Sequence, residues 1–173
     1  MSKTKTIFID GTSEKLFISI NYTNKKNFKI IKKIDKSESL PIKVIGFLKL
    51  KKIDLDKSFK IIVNLGPGDL ISIRNSVILV KILKILFGCE VVGTSFFKIY
   101  NLRKAKKQKI LIKVRKHNIL LDLMKNKSFK ISDIHLKKYT NFAGKSNLLS
   151  SDVTNLLKNN VFLKKIVPIT VSK

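Results

Sequence analysis

The chain has 173 residues, enough for one domain or two small lobes, and 44% of them are hydrophobic, which is ordinary for a globular core. Its charge is not ordinary, because 37 Lys and Arg against 11 Asp and Glu give a net charge of +26 at pH 7. Cys89 is the single cysteine, which excludes an intramolecular disulfide and fits a reducing cytoplasm. The first residues do not resemble a signal peptide, and the apolar run from Ile73 to Phe87 is too short and too interrupted to span a bilayer. A cytoplasmic protein without a membrane anchor is therefore expected.

The excess of positive charge has two competing explanations. It suggests an anionic partner such as nucleic acid, but A/T-rich codon bias also enriches Lys, Ile and Asn, all of which are abundant in this sequence. The lysines are scattered along the chain, and arginine, which forms bidentate phosphate contacts, occurs only at positions 74, 103 and 115. Codon bias is favoured as the main cause. The alternative function, a basic RNA- or tRNA-binding protein, requires specific tRNA binding that survives physiological salt.

The first part of the chain predicts three strands and a helix. Thr6 to Asp10 and Leu16 to Asn21 are strand-like and are joined by a turn-rich connection that begins with Asp10-Gly11. Asn27 to Ile34 suits a third strand. Ser39 can cap a helix from Leu40 to Leu50, with Pro41 in its first turn.

A strand–turn–helix unit follows and dominates the middle of the chain. Lys60 to Asn64 reads as a buried strand, and Gly66-Pro67-Gly68 forms a turn after it. Asp69 is the expected N-cap of a helix that runs to Phe87 and stops at Gly88. A strand from Glu90 to Thr94 and a short helix capped by Ser95 come next.

The remaining sequence predicts a second, smaller unit. Residues 103–109 carry five basic residues in seven and form the best linker candidate, which divides the chain into 1–102, 103–109 and 110–173. Strands are expected at Ile110 to Val114, Asn118 to Met124 and Phe129 to Ile131. A helix capped by Ser150-Ser151-Asp152 and an extended C-terminal segment complete the unit. This order implies an α/β protein with a mixed sheet and flanking helices.

Two turns carry alternative chemical interpretations. Asp10-Gly11 could open a phosphate loop, but Asp-Gly is also the strongest short signal for a tight β-hairpin, which is favoured. Gly66-Pro67-Gly68 could cradle phosphate at a helix N-terminus, but Asp69 would repel an anion there. A close-packed corner is therefore favoured, and both turns are assigned as structural: Asp10, Gly11, Gly66, Pro67, Gly68 and Asp69.

No catalytic set is predicted from the sequence. His117 and His135 are 18 positions apart and lack the further ligands that a metal site needs, so neither a metal nor a cofactor site is assigned. Cys89 is best explained as a small core residue. A small phosphotransferase stays as a third function, and loss of nucleotide hydrolysis in Asp10→Ala would support it.

The two longer helices have more apolar surface than one buried side requires. Arg74, Lys81 and Lys84 fall within a stripe about 80° wide, at about 100° per residue, and most other positions of that helix are apolar. The sheet and the other helix could cover this surface, or a second subunit could share it. A partner interface is favoured somewhat, with these residues: Leu40, Val44, Phe47, Leu48, Arg74, Val77, Lys81 and Lys84.

Several of these segments, in this order, resemble the bacterial TsaB (YeaZ) family. The run from Ile9 to Glu14 resembles the family's opening Ile-Asp-Thr-Ser-Thr-Glu, and Ser37 to Pro41 resembles its Ser/His-Glu-x-x-Leu-Pro region. Gly66-Pro67-Gly68 with Arg74 resembles its Gly-Arg-Gly-Pro-Gly-Ser-Phe-Thr-Gly-x-Arg motif, and Val91 to Ser95 resembles its Leu-Val-Gly-Val-Ser-Ser strand. The match covers residues 7 to 100 and fades from about residue 103.

The sequence departs from that family in both halves. Leu65 replaces the Arg before Gly-Pro-Gly, and Asp69-Leu70-Ile71-Ser72 replaces Ser-Phe-Thr-Gly. Val114-Arg115-Lys116 stands where the family has Asp-Ala-Arg. The chain is therefore identified as a short and diverged relative with a reduced second lobe.

The resemblance implies a fold and a role. The fold is the actin/hexokinase/Hsp70-like, ribonuclease H-like lobe with a mixed sheet and flanking helices. TsaB-like proteins are non-catalytic subunits that dock the catalytic paralogue TsaD and, with TsaE, support threonylcarbamoylation of tRNA. The resemblance thus implies a cytoplasmic scaffold with TsaD-like and TsaE-like partners and tRNA bound through the complex. ATP or ADP is expected only at the complex interface, and homodimerisation without the partner stays open.

Overall fold

A computed structural model describes residues 5–13, 15–22, 25–32, 40–103, 109–114, 117–132, 144–145 and 148–171. Two β-sheets form its framework. The strands are β1 Lys5–Asp10, β2 Lys15–Tyr22, β3 Lys25–Lys32, β4 Phe59–Asn64, β5 Glu90–Thr94, β6 Lys109–Val114, β7 His117–Asp122, β8 Lys127–Ile131 and β9 Gly144–Lys145. The helices are α1 Leu40–Leu50, α2 Leu70–Phe87, α3 Phe96–Asn101 and α4 Ser150–Asn159.

The first sheet has five strands in the order β3-β2-β1-β4-β5. β1, β2 and β3 form an antiparallel meander, whereas β4 and β5 run parallel to β1. The parallel strands are joined through helices, as parallel connections require. The carboxyl ends of β1, β4 and β5 therefore lie along one edge of the sheet.

Alternating side chains of the central strands belong to two hydrophobic cores, one on each face of the sheet. Ile7 and Ile9 point to the face that α1 and α2 cover, while Phe8 between them points to the opposite face. On that opposite face, α3 and the second sheet complete the core, with Ile112 and Leu121 fully or almost fully buried. The two sheets are thus joined through a shared apolar layer.

The second sheet repeats the topology of the first. Its order is β8-β7-β6-β9, with β6, β7 and β8 antiparallel and β9 parallel to β6. This corresponds strand for strand to β3-β2-β1-β4. The sequence shows no internal repeat, so the duplication is visible only in the pairing of the strands.

The last described residues return to the first sheet. Gly93 and Leu163 exchange two backbone hydrogen bonds of 2.9 and 2.8 Å, and the Ile169 N–H donates to the Leu65 carbonyl at 2.7 Å. The predicted second unit, 110–173, therefore includes an extended segment, 161–171, that packs on the first sheet. Its apolar side chains join both cores.

Most predicted elements are present with small boundary shifts. α1 and α2 begin and end at the predicted residues, and Gly88 adopts the left-handed conformation (φ 68°) that lets its N–H bond Lys84 O. α4 begins one residue after Leu149, whose N–H donates to Asp152 Oδ2 at 2.8 Å. Ser39, His135 and residues 104–108 of the predicted linker lie outside the described residues. No helix in the described part of the chain has both the length and the apolarity to cross a membrane.

Candidate functional site

The carboxyl edge of the first sheet holds a buried carboxylate. Asp10 ends β1 and is 2% exposed, and its Oδ1 accepts hydrogen bonds from the Thr12 N–H at 3.0 Å and from Asn64 Nδ2 at 3.1 Å. Asn64 ends the neighbouring strand β4, and its Oδ1 accepts from the Gly66 N–H at 3.1 Å. The Asp10 carboxylate therefore fixes the two turns that follow β1 and β4 relative to each other.

The Gly66-Pro67-Gly68 turn packs directly on the β1–β2 connection. The Asp69 N–H donates to the Thr12 carbonyl at 2.8 Å, and a Cβ on Gly68 would lie 2.5 Å from that same carbonyl oxygen. Gly66 has φ +102°, which side-chain-bearing residues rarely adopt. The turn is thus a close-packed corner, and the Gly66 and Asp69 N–H groups on either side of it bond within the protein.

The structure confirms a β1–β2 hairpin, but its connection is longer than the tight turn favoured from Asp10-Gly11, because Asp10 pairs with Phe17 and six residues lie between them. Above this connection there is no free space at Gly11, because a Cβ there would lie 2.6 Å from Ser76 Oγ. Asp69 occupies the predicted N-cap position of α2, but its side chain does not accept from a helix N–H. Its Oδ2 instead accepts from Ser72 Oγ at 2.5 Å, which corrects the capping contact on which the sequence argument relied.

Replacing Gly68 by alanine tests the close-packed corner. The new methyl group would overlap the Thr12 carbonyl, so we expect the free energy of unfolding in urea to fall by about 2 kcal/mol. Gly46→Ala is the matched control, since a Cβ at Gly46 meets nothing within 4 Å and the helix gains up to about 1 kcal/mol. Equal stability of Gly68→Ala and wild type would contradict the assignment.

A second buried polar group, which the sequence did not indicate, links the first unit to α4. Arg103 donates from Nε and Nη2 to the two carboxylate oxygens of Asp152, at 2.8 and 2.6 Å, and its guanidinium lies 4.4 Å from the centre of the Tyr100 ring. Burial is the main cause that raises the pKa of Tyr100, the Asp10 and Asp152 carboxylates raise it further, and Arg103 opposes the shift. The phenol therefore stays protonated. Arg103, predicted as the start of a linker, is instead a packed contact.

An open cleft lies between the start of α2, the second sheet and the C-terminal segment. Its volume is about 280 Å³, at the lower end of small-molecule sites. Its polar lining residues are Asp69, His117, Lys130 and Thr170, and its walls are mainly aliphatic. Within the described residues, no three His, Cys, Asp or Glu side chains are grouped as metal ligands.

The helices α1 and α2 carry most of the exposed large apolar side chains of the described residues, but these are not the predicted interface residues. Leu40, Val44, Phe47, Leu48 and Val77 are at most 6% exposed and belong to this chain's own core. A partner that docks on these helices cannot reach them without unfolding the core. Only the cations of the predicted set, Arg74, Lys81 and Lys84, are exposed.

The residues that do face outward form what we call the outer face. On α2, Ile78 is 55% and Ile85 is 82% exposed, and on α1, Ile42 is 75% exposed. The outer face consists of Ile42, Ile45, Leu50, Ile71, Ile78, Ile82, Ile85 and Leu86. In the sequence, the cations Arg74 and Lys81 already indicated which side of α2 faces outward. Ile78 and Ile85 lie one turn after them and therefore share their side of the helix.

No protein-family model matches the chain, and no curated protein matches it in sequence. Among solved structures it is similar to YeaZ from Pseudomonas aeruginosa, with a TM-score of 0.61 and 13% identity over 96% of this chain and 99% of that chain. It is also similar to a crystal structure of an uncharacterized protein described by its similarity to peptidase YEAZ from Pseudomonas aeruginosa. There the TM-score is 0.67 and the identity 12%, over 98% of this chain and 100% of that chain.

The structural similarity extends well beyond residue 103, where the sequence motifs fade. It confirms the expected actin/hexokinase/Hsp70-like α/β class, with a mixed sheet and flanking helices. At sequence identities of 13% and 12%, the similarity shows that the folds are alike. A role for this chain has to be argued from its own surface residues. The resemblance that the motifs indicated is confirmed at this level: the chain has the fold of YeaZ.

Proposed function

We propose that this chain is a non-catalytic scaffold subunit for tRNA threonylcarbamoyladenosine modification. It docks and stabilises a TsaD-like catalytic protein in the cytoplasm, with a TsaE-like ATPase and tRNA joining through the complex. The observation that carries this proposal is the outer face, combined with the YeaZ-type fold.

The apolar outer face is typical of a surface that binds another protein. Single exposed apolar residues are normal on a soluble protein, but adjoining ones mark interaction sites. Ile71, Ile78, Ile82 and Ile85 recur at intervals of three, four and seven along one side of α2, and Ile42 and Ile45 add to them from the neighbouring α1. Such a helix face is suited to pack against helices of another protein.

The geometry of the two turns supports a role without phosphate chemistry at Asp10. A catalytic carboxylate must reach a substrate or a metal-bound phosphate, whereas the Asp10 carboxylate is buried and bonded to Thr12 and Asn64. The neighbouring corner is filled by Gly68 against the Thr12 carbonyl. These contacts favour a structural role for the Asp10-Gly11 and Gly66-Pro67-Gly68 turns over the phosphotransferase alternative.

The distribution of lysines does not favour the RNA-binding alternative. Exposed lysines occur on α1, on α2, on β6 and β8, and in the C-terminal segment, including Lys49, Lys81, Lys113, Lys127 and Lys164. A nucleic-acid site usually gathers its cations on one face or groove. Charge of this kind still attracts RNA at low salt through counterion release.

Co-purification tests the proposal. A TsaD-like protein from the same genome, co-expressed with this chain, is expected to elute with it as a one-to-one complex in size-exclusion chromatography at micromolar concentration. Separate elution at physiological salt would count against the docking role. Tight, salt-resistant binding of tRNA by the isolated chain would instead support the RNA-binding function.

A further inference from the structure

The open cleft beside the start of α2 carries opposite charges on two of its walls. Asp69 lies on one wall, immediately before α2, and Lys130 of β8 lies on another together with His117 of β7. The ion pairs of the described residues do not include one between Asp69 and Lys130. None of the lining residues belongs to the outer face, so the cleft is a separate feature of this chain.

The register of the second sheet places His117 and Lys130 together. Val114 pairs with His117 and Ile119 pairs with Lys130, and directly opposed residues of antiparallel strands share one face of the sheet. Val114 and Ile119 belong to the core that the two sheets share, so His117 and Lys130 extend that face beyond the core, where both are exposed. The two are diagonal neighbours, about 7–8 Å apart, so one carboxylate can contact both.

Asp69 uses its carboxylate differently from an ordinary helix cap. An Asp before a helix normally bonds the helix N–H groups, but the Asp69 side chain makes no such bond and accepts instead from Ser72 Oγ at 2.5 Å. A carboxylate can accept about four hydrogen bonds, so it can bond Ser72 and a ligand at the same time. Asp69 also stands where the TsaB (YeaZ) motif has Ser, so this negative charge is a feature of the chain's own sequence.

The rest of the cleft is mainly aliphatic and small. Leu70, Ile119 and Ile169 line it, and Ile169 is held in place by its N–H, which donates to the Leu65 carbonyl at 2.7 Å. The volume of about 280 Å³ equals that of about nine waters in the liquid, at about 30 Å³ each. The cleft therefore suits a ligand of about the size of an amino acid.

Charge complementarity restricts the class of ligand. Lys130 attracts a carboxylate that Asp69 repels, and Asp69 attracts an ammonium group that Lys130 repels. A simple anion or a simple cation therefore loses on one wall what it gains on the other. A molecule that carries both charges satisfies both walls, while its apolar body covers the aliphatic side chains between them.

We infer that the cleft binds a small zwitterion with an aliphatic body, such as a branched-chain amino acid, with its ammonium group against Asp69 and its carboxylate against Lys130 and His117. This inference goes beyond the proposed docking role. Neither depends on the other, because the cleft and the outer face share no residue.

Three matched probes test the charge requirement on the full chain. L-leucine carries both charges, 4-methylpentanoate lacks the ammonium group, and 3-methylbutylamine lacks the carboxylate, while all three share one aliphatic body. The titrations are followed by the amide NMR shifts of Ile119 and Thr170 at about 150 mM salt, which screens long-range attraction by the net charge of +26. We expect a Kd of about 0.1–1 mM for L-leucine. Each singly charged probe is expected to bind at least about 10-fold more weakly.

Substitutions on the two walls are expected to change the preferences in opposite directions. Lys130→Gln should weaken L-leucine and 4-methylpentanoate about 10-fold and leave 3-methylbutylamine no weaker. Asp69→Asn should weaken L-leucine about 10-fold and tighten 4-methylpentanoate, because the repelling carboxylate is gone. A merely structural role of either residue would shift all three probes alike.

Lys127→Gln is the matched control for Lys130→Gln. It removes the same charge from the same strand, and Lys127 is exposed, but an odd number of residues separates the two positions, so Lys127 lies on the opposite face of the sheet. All three probes are expected to bind this variant as they bind wild type. Retained far-ultraviolet circular dichroism and thermal midpoints establish that the variants are folded.

Three outcomes overturn the inference. The first is that L-leucine gives no saturable shift up to about 20 mM. The second is that 4-methylpentanoate binds wild type as tightly as L-leucine does, which would identify a simple anion site. The third is that Lys127→Gln weakens binding as much as Lys130→Gln, which would assign the attraction to the net charge of the chain. The docking proposal survives each of these results, because it is tested with the TsaD-like protein.

Discussion

Replacing Asp152 by alanine is expected to lower the free energy of unfolding by about 3 kcal/mol, the largest single effect among the polar contacts. Asp152 is 3% exposed and accepts two hydrogen bonds from Arg103 and one from the Leu149 N–H. Its loss leaves the partly buried Arg103 guanidinium without its carboxylate and removes the acceptor at the start of α4. Urea denaturation measures the change.

Two comparisons separate the ion pair from general surface charge. Asp152→Asn keeps one oxygen near the Leu149 N–H but removes the charge and replaces the other acceptor oxygen with an NH2 group, so it is expected to lie between wild type and Asp152→Ala. Glu90→Ala breaks the exposed Lys60–Glu90 pair and is expected to change stability by about 0.5 kcal/mol or less. If Asp152→Ala behaves like Glu90→Ala, the contact between the first unit and α4 contributes little.

Replacing Ile78 by aspartate is expected to weaken the complex with a TsaD-like protein at least about 100-fold, which corresponds to about 2.7 kcal/mol. Ile78 is 55% exposed at the centre of the outer face, so the carboxylate stays hydrated in the free protein and is buried only in the complex. The folded monomer should keep its stability within about 0.5 kcal/mol. Isothermal titration calorimetry and urea denaturation measure the two quantities.

The preceding residue gives the matched control. Val77 is 6% exposed and packs in the core, so Val77→Ala is expected to lower stability by about 2 kcal/mol while the complex still forms. The two neighbours on one helix should thus show opposite effects on folding and on binding. A Val77→Ala variant that is as stable as wild type but loses the partner would restore the residue assignment made from the sequence.

Local signals in the sequence were sufficient to predict where the helices begin and end. α2 ends where Gly88 takes a positive φ, as the Gly signal predicts, and it begins after Asp69 as predicted, although the Asp69 side chain makes no capping hydrogen bond. α3 begins after Ser95, whose Oγ accepts from the Lys98 N–H at 3.3 Å. These determinants act within one turn of the chain, so an isolated stretch of sequence contains them.

The exposed residues of α1 and α2 could be identified only from the fold. Val44, Phe47 and Val77 are as apolar as Ile42 and Ile78, and burial in a core and burial by a partner select the same residue types. The helical period separates the two sets into different faces, but only the position of the sheet decides which face is inside. The three cations were the one sequence feature that marked the outside correctly.

The sequence by itself determined where the helices and most strands begin and end, the hairpin at Asp10-Gly11 and the resemblance in fold, because these depend on neighbouring residues and their order. Tertiary structure alone decided which side of α1 and α2 is free. It also decided that Asp10 bonds Asn64, 54 residues away, and that Arg103 bonds Asp152, 49 residues away. Such pairs form only when distant segments are brought together by the packing of the two sheets, and no local pattern encodes the partner.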